Sequence, residues 1–235
     1  MNFSTTEIKD AWGYAEHAYL KQAELKRIFG DSLTIFDPKL QGIGDACYLI
    51  EEGERVVVAF PGSNDIKDWL LNFRFSKTDD GFFHKGFTKD LAEMLHKIIN
   101  RIEKINPNSV LITGHSRGGA VADLFAEMAS PYLRCDINCI TFAQPRIATK
   151  AYYTLLAPSN VKKLRVTVAN DIVVDVPPRW FGFVHSGEHM ELGNPLSLWE
   201  KAKRLYTIYR SGKNLSLISI KAHIPATYAR YISNL

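Results

Sequence analysis

One segment of the chain places a serine where it could act as a nucleophile. Ser116 stands between Gly114 and Gly118 in a G-x-S-x-G motif. Apolar residues 110–112 precede it in the manner of a strand, and residues 118–129 follow it with a helical pattern. A nucleophilic serine projects best from a sharp strand-to-helix turn, and glycines on either side let strand and helix pack closely there. The segment therefore indicates acyl-transfer chemistry through Ser116.

A serine nucleophile needs a histidine as its base and a carboxylate that orients the histidine. In enzymes built on this kind of turn, the acid and then the histidine follow the serine along the chain. Asp171 lies just past an apolar, strand-like segment, and Asp175 follows it closely, so both are candidate acids. The order of residues alone does not choose between them, or among the candidate bases. These bases are His185, His189 and His223.

The negatively charged oxygen of a tetrahedral intermediate needs two hydrogen-bond donors. The backbone N–H of Arg117, directly after the serine, is the first candidate. The second should come from a loop that follows an earlier strand. Pro61-Gly62-Ser63 is such a loop, because Gly62 allows a tight turn and Ser63 offers both its N–H and its hydroxyl. Ser63 and Arg117 are therefore the predicted oxyanion donors.

Strands alternate with helices along the chain, and several strands are continuously apolar. This pattern predicts an α/β fold with a largely parallel sheet that helices cover on both faces. No linker interrupts it, so we predict a single domain over residues 1–235. The predicted helices are 5–28, 89–105, 118–129, 197–209 and one from about 225, and the predicted strands are 46–51, 55–60, 109–113, 138–143 and 163–169.

Composition excludes several other classes of protein. The 235 residues carry a net charge of +4 without a dense basic block, so nucleic acid is not an expected partner. Three cysteines without zinc-like spacing predict buried thiols rather than a metal site or disulfides. No apolar run approaches the ~20 residues of a membrane span. Residues 1–7 have no leader pattern and instead start a helix, with Ser4 and Glu7 as a capping pair. We therefore expect a protein that is cytoplasmic as synthesised, with release or non-classical export as alternatives.

Several segments together resemble the class 3 lipase family, a fungal-lipase-like branch of the α/β hydrolases. The resemblance begins near residue 45 and covers about two-thirds of the chain. It rests on motifs that occur in the family's order rather than on one match. The matching segments are 59–63 with Asp68-Trp69, 84–87, 114–120, 142–146, and 170–173 with Pro177-Pro178.

The resemblance implies an α/β-hydrolase fold and settles the open choices. The acid implied is Asp171 rather than Asp175, and the histidine implied is His223, with Tyr228 close behind. Ser63 matches the family's oxyanion position. His84 and His115 are then expected to be structural or supporting residues. Three positions depart from the family pattern: Pro61 replaces a usual Arg, Arg117 a usual Leu, and Ala143 a common Gly.

Two apolar segments could contact a lipid substrate. Residues 65–75 place apolar side chains on one helical face, and this lid-like segment of about 64–76 is either an interfacial lid or a fixed helix. The aromatic residues 180–183 could line an acyl pocket or fill the core. The basic helix at 197–209 is expected to pack on the body, although such helices also lie on anionic membranes. The lid and pocket candidates are Ile66, Trp69, Leu70, Phe73 and Phe181.

These observations predict a serine carboxylic-ester hydrolase, a lipase or esterase. Its substrates would be acyl esters such as glycerides or phospholipids, which it would meet at a transient membrane or micelle surface. No metal and no organic cofactor is implied, and the oligomeric state is not predicted. A peptidase is a weaker possibility. The alternative from another class is a non-catalytic protein of the same fold that binds a lipid or a partner.

Overall fold

A mostly parallel β-sheet forms the centre of the protein. The computed structural model describes residues 3–36, 47–63, 77–92, 94–155, 160–194, 197, 199–200 and 221–235. In this part of the chain, seven strands form one sheet in the order β1-β2-β3-β4-β5-β7-β9. The pairs β1-β2 and β2-β3 are antiparallel, and every later pair is parallel. The strands are β1 Leu33–Phe36, β2 Cys47–Glu52, β3 Arg55–Phe60, β4 Ser109–His115, β5 Asp136–Phe142, β7 Val161–Val168 and β9 Glu188–Leu192, and β6 Ala148–Thr149 pairs with β8 Phe183–Val184 in a small second sheet.

Helices cover both faces of the central sheet. Val56, Val58 and Phe60 of β3 belong to one apolar cluster, and the alternating residues Val57 and Ala59 belong to another. Because successive side chains of a strand point to opposite faces, these two clusters are two layers of core. Helices α3 to α5 pack in the first layer, and α1, α2 and α7 pack in the second. The helices are α1 Thr5–His17, α2 Gln22–Phe29, α3 Lys85–Ala92, α4 Leu95–Ile105, α5 Arg117–Ala129, α6 Lys150–Leu155 and α7 Pro225–Ser233.

Two predicted helices are each divided in the structure. The predicted helix at 5–28 is wrong in its middle, because Lys21 has an extended backbone and its N–H donates to the Glu24 carboxylate at 3.1 Å. That capping bond starts a new helix. The predicted helix at 89–105 is divided between α3 and α4, with Met94 before the second helix. Its apolar stripe continues across the break, so periodicity gave no sign of it.

The two strands at the edges of the central sheet differ from the sequence-based predictions, and two predicted segments lie outside the described residues. The strands β1 and β9 were not predicted, and β9 alternates between partly buried and exposed positions as an edge strand does. The predicted lid-like segment at 64–76 lies outside the described residues, and so does most of the predicted helix at 197–209.

The described helices include none that is both long and apolar enough to cross a membrane. Cys47 and Cys139 are buried free thiols as predicted, whereas Cys135 is partly exposed.

Candidate active site

The sharp turn between β4 and α5 holds Ser116 in an unusual backbone conformation. Its φ of 60° and ψ of −127° lie in a region that residues other than glycine rarely adopt. The turn is fixed by its main chain, because the Ser116 N–H donates to the Phe142 carbonyl at 2.8 Å. A Cβ on Gly114 would lie 2.5 Å from the Gly118 carbonyl, and one on Gly118 would lie 2.1 Å from the Phe60 carbonyl. Both glycines of the motif are therefore required by close backbone contacts.

His223 and Asp171 meet the serine from distant parts of the chain. His223 lies just before α7, and its Nε2 is 2.6 Å from the Ser116 Oγ. Its Nδ1 is 2.8 Å from Oδ2 and 3.0 Å from Oδ1 of Asp171, which follows the end of β7. All three residues are buried. In this arrangement the carboxylate accepts the Nδ1–H, which leaves Nε2 free to take the proton of the serine hydroxyl.

The Asp171 carboxylate is held by two further donors. The Val173 N–H donates to Oδ1 at 2.9 Å, and the Tyr228 hydroxyl donates to Oδ2 at 2.8 Å. The Tyr228 oxygen in turn accepts the Val168 N–H at 3.0 Å. Asn170, with φ of 72°, makes the left-handed turn that brings the carboxylate back toward α7. A buried carboxylate is thus surrounded by donors, as its desolvation requires.

Tyr228→Phe is expected to lower the free energy of unfolding by about 1–3 kcal/mol, because a buried N–H at Val168 loses its acceptor. Urea denaturation of the purified variants measures this change. Tyr231→Phe on the same helix is the matched control, and its expected change is within about 0.5 kcal/mol. Equal losses in the two variants would contradict the assigned role of the Tyr228 hydroxyl.

The rival candidates are engaged elsewhere. The Asp175 side chain is 72% exposed and forms an ion pair with Arg146 at 2.7 Å. The His185 Nε2–H donates to the Val174 carbonyl at 2.8 Å, and burial together with nearby Arg165 lowers the pKa of His185 to about 2. His189 bonds to the Thr167 hydroxyl through Nε2 at 2.7 Å.

The two predicted oxyanion donors lie on segments that touch each other. Main-chain atoms of Pro61 lie 2.7 Å from where a Cβ of Gly118 would be, and a Cβ on Gly62 would lie 2.8 Å from the His115 carbonyl. The loop that leads to Ser63 therefore contacts residues on both sides of Ser116. The Arg117 side chain is buried, and burial lowers its pKa to about 10, so it stays charged at neutral pH.

Sequence reasoning missed a residue that holds the loop after the acid. The Arg146 guanidinium donates to the Pro177 carbonyl at 2.9 Å, to the Asp175 carbonyl, and to the Asp175 carboxylate. The Arg146 N–H also donates to the Val176 carbonyl at 2.8 Å. In the sequence, Arg146 belongs to the family-like segment 142–146, and nothing there indicates that its side chain binds main-chain carbonyls.

The aromatic residues after the acid loop separate into two groups. Phe183 is fully buried, whereas Trp180 is 84% exposed and Phe181 is 40% exposed. Both exposed rings lie on a single 3₁₀ turn, Arg179–Phe181. Ile66, Trp69, Leu70 and Phe73 lie outside the described residues, so the predicted lid stays a prediction.

Comparisons with known proteins agree with this architecture. The sequence profile of the family "Lipase (class 3)" matches residues 57–181. A secreted mono- and diacylglycerol lipase of Fusarium solani is 31% identical over 168 residues, covering 66% of this chain and 49% of the relative. A secreted mono- and diacylglycerol lipase of Penicillium cyclopium is 27% identical over 149 residues, covering 60% of this chain and 48% of the relative. The chain thus spans about half the length of these relatives.

A solved structure extends the likeness beyond the matched segment. A mutant form of MDLA from Penicillium cyclopium superposes with a TM-score of 0.71 at 24% identity, covering 95% of this chain and 96% of that one. The predicted fold class is confirmed: the chain has the α/β-hydrolase fold.

The expectation of a cytoplasmic protein is wrong. It rested on the absence of a leader pattern in residues 1–7 and of a membrane-spanning run, and neither absence establishes where a protein acts. The relatives from Fusarium solani and Penicillium cyclopium are both described as secreted, which contradicts it. The resemblance to the class 3 lipases is confirmed over more than half of the residues, from β3 to the 3₁₀ turn at Arg179–Phe181. The chain belongs to the class 3 lipase family.

Proposed function

We propose that this protein is a serine carboxylic-ester hydrolase in which Ser116, His223 and Asp171 form the catalytic triad. The observation that carries the proposal is the continuous hydrogen-bonded path from Ser116 Oγ to His223 Nε2 at 2.6 Å and from His223 Nδ1 to Asp171 Oδ2 at 2.8 Å. A buried path of this kind needs no substrate to assemble it. It supports a site that is preorganised for acyl transfer.

The reaction follows from the geometry in two halves. His223 Nε2 takes the hydroxyl proton as Ser116 Oγ attacks the ester carbonyl carbon, and the carbonyl oxygen becomes the oxyanion. The C–O bond to the alcohol then breaks, the His223 imidazolium gives its proton to the leaving oxygen, and the acyl group stays on Ser116. A water molecule, deprotonated by His223, then attacks the acyl carbon, the bond from that carbon to Ser116 Oγ breaks, and His223 returns the proton to Oγ as the acid leaves. Asp171 accepts the Nδ1–H and stabilises the imidazolium.

The oxyanion would be held by two donors on touching segments. One is the backbone N–H of Arg117, and the other comes from Ser63, through its N–H or its hydroxyl. The Arg117 N–H stands at the first turn of α5, where the helix dipole also favours negative charge. Removing one such donor from an oxyanion site costs about 10²–10³ in kcat.

The proposed substrates are acyl esters of the glyceride or phospholipid type. The supporting observation is the similarity to relatives whose names describe mono- and diacylglycerol lipases. The non-catalytic alternative is not favoured, since a binding protein has no need for a buried serine, histidine and carboxylate that are joined by hydrogen bonds. Hydrolysis of p-nitrophenyl butyrate and palmitate tests the proposal and separates short-chain from long-chain preference. A folded protein that is inert on both esters, with and without micelles, would overturn it.

A lipid surface is the proposed partner of the face around the site. Large exposed apolar side chains follow the carboxyl ends of two parallel strands, where ligand sites of such sheets lie. Trp180 and Phe181 follow β7, Trp199 follows β9, and Ile224 adjoins His223. Tryptophan is enriched at membrane–water interfaces, because its ring is apolar and its N–H is polar. The exposed Arg179 beside them adds attraction to an anionic surface.

Trp180→Ala is expected to weaken binding to vesicles containing phosphatidylserine by about tenfold, because less apolar surface leaves water. Sedimentation with sucrose-loaded vesicles measures the binding. Tyr132→Ala is the matched control. Tyr132 is exposed, but it lies before β5, at the amino ends of the parallel strands. If the two variants bind equally well, the surface around Trp180 does not contact the lipid.

A further inference from the structure

A tyrosine just after the N-terminal helix reaches the residue that precedes the nucleophile. Tyr19 lies just after α1, and its hydroxyl is 2.8 Å from the Nδ1 of His115. The His115 ring lies 5.0 Å from the His223 ring, centroid to centroid. Neither Tyr19 nor His115 has a part in the chemistry described above. His115 thus connects Tyr19 to the surroundings of His223.

His115 is a neutral side chain. It is fully buried, and burial together with the neighbouring His223 holds its pKa well below the usual value for histidine. One ring nitrogen of a neutral imidazole carries hydrogen and the other accepts a hydrogen bond. Burial also raises the pKa of Tyr19, so its hydroxyl keeps its proton and can donate. The arrangement of hydrogens in this pair is therefore a choice between two tautomers of His115.

The hydrogen bond to Tyr19 favours one tautomer. Among the described residues, Nδ1 of His115 is the partner of the Tyr19 hydroxyl, and Nε2 has no hydrogen bond. The hydroxyl hydrogen needs an acceptor, and a ring nitrogen accepts only when it carries no hydrogen itself. Nδ1 then accepts from Tyr19, and the hydrogen of the neutral ring lies on Nε2.

The same hydroxyl also touches the predicted oxyanion loop. A Cβ on Gly62 would lie 2.0 Å from the Tyr19 oxygen, which is far inside van der Waals contact. The Tyr19 hydroxyl therefore fills the space that a side chain at residue 62 would need. Gly62 directly precedes Ser63, so the position of the tyrosine ring limits where the Ser63 N–H can lie.

We propose that Tyr19 is a positioning residue: its hydroxyl holds the His115 ring, which packs beside the His223 ring, in the Nε2–H tautomer, and its contact with Gly62 fixes the oxyanion loop. The inference rests on the proposed function for its consequence in catalysis. Tyr19 does not touch the reacting atoms, so its loss leaves the chemistry intact and misaligns the groups that perform it.

Tyr19→Phe is expected to lower kcat for p-nitrophenyl esters by about tenfold with little change in KM, because alignment matters in the transition state more than in the bound substrate. A tenfold loss corresponds to about 1.4 kcal/mol of transition-state stabilisation. The matched control is Tyr14→Phe, which removes a hydroxyl from α1 that bonds to Glu52, away from the site. This control is expected to keep the kcat of the wild type.

Nitrogen NMR of protein labelled with ¹⁵N-histidine tests the inference without using activity. The His115 signals are assigned by their loss in His115→Gln. We expect the Nε2–H tautomer in the wild type and in Tyr14→Phe, and a mixture of tautomers in Tyr19→Phe. A wild-type His115 with hydrogen on Nδ1, or an unchanged tautomer in Tyr19→Phe, would overturn the inference. So would a kcat that falls equally in both tyrosine variants, since that result indicates general destabilisation.

The two proposals can fail separately. A wild-type protein without ester hydrolysis would refute the proposed function, while the tautomer of His115 would still decide whether Tyr19 sets it. An active wild type with an unaltered Tyr19→Phe variant would refute only the positioning role.

Discussion

Ser116→Ala is expected to lower kcat for p-nitrophenyl esters by about 10⁴–10⁶, the largest effect that we predict. Without Oγ no acyl-enzyme can form, and only the oxyanion donors and substrate binding remain. The substitution removes one oxygen from a turn whose conformation is set by main-chain contacts to Phe142 and by the flanking glycines. Folding should therefore be preserved. Initial rates of p-nitrophenol release, beside circular dichroism of the same preparations, measure both quantities.

A second variant shows whether Ser116 and His223 act as a unit. His223→Ala should lose about as much activity as Ser116→Ala, and the double variant should be no slower than either one. Independent contributions would multiply instead, so a double variant that is slower than both by a large factor would contradict a shared proton-transfer step. A folded Ser116→Ala protein with more than a tenth of the wild-type rate would contradict the triad itself.

Asp171→Asn is expected to lower kcat by about 10⁴, the second largest effect. The Tyr228 hydroxyl and the Val173 N–H each donate to one of the two carboxylate oxygens. An amide at this position must place its NH₂ toward one of these donors or toward His223. When the NH₂ faces His223, it donates to Nδ1, and the hydrogen moves to Nε2, where the base needs a lone pair. The histidine then cannot accept the serine proton.

Asp175→Asn is the control for the acid. Asp175 was the rival candidate, and its exposed carboxylate pairs with Arg146 rather than with a histidine. Since Arg146 also donates to main-chain carbonyls of the same loop, the loop should stay in place and kcat should fall by less than about threefold. Comparable losses in the two aspartate variants would show that the acid has been assigned to the wrong residue. The comparison requires only steady-state kinetics at one pH.

The centre of the fold could be predicted because local pattern and tertiary environment agree there. The continuous apolar run 110–112 predicted a strand buried on both faces, and the parallel pairs β3-β4 and β4-β5 contain it. The Ser4–Glu7 capping pair starts α1 as expected. In the strand, apolar residues serve local preference and packing together, and in the helix start the capping pair acts locally.

The prediction failed where contacts decide the structure. The break between α1 and α2 depends on a capping bond at Lys21, and the break before α4 lies inside an unbroken apolar stripe. The edge strand β9 is short and only half buried, so its sequence resembles that of a loop. Ala143 is a further example, because its φ of 52° lies in a region that glycine favours. That conformation explains why a glycine is common at this position in the family.

The candidate site divides in the same way. Ser116 carries its own motif. Asp171 could be chosen over Asp175, and His223 over His185 and His189, only through the family resemblance. The structure brings His223 within hydrogen-bond distance of both Ser116 and Asp171. The role of Tyr19 could not be predicted from the sequence, because Tyr19 lies far along the chain from the segments that it contacts and acts through one hydroxyl. Residues of this kind emerge only from the packed structure.

The most direct test of the account is covalent labelling of the intact protein with a fluorophosphonate. Such a probe reacts with a serine only when a neighbouring base activates it, and it needs no knowledge of the natural substrate. We expect one adduct per chain, located on Ser116 by peptide mass spectrometry, together with loss of ester hydrolysis. Ser116→Ala and His223→Ala should stay unlabelled under the same conditions. A folded wild type that takes no label, or that carries it on another serine, would contradict the claim that Ser116 is the activated nucleophile.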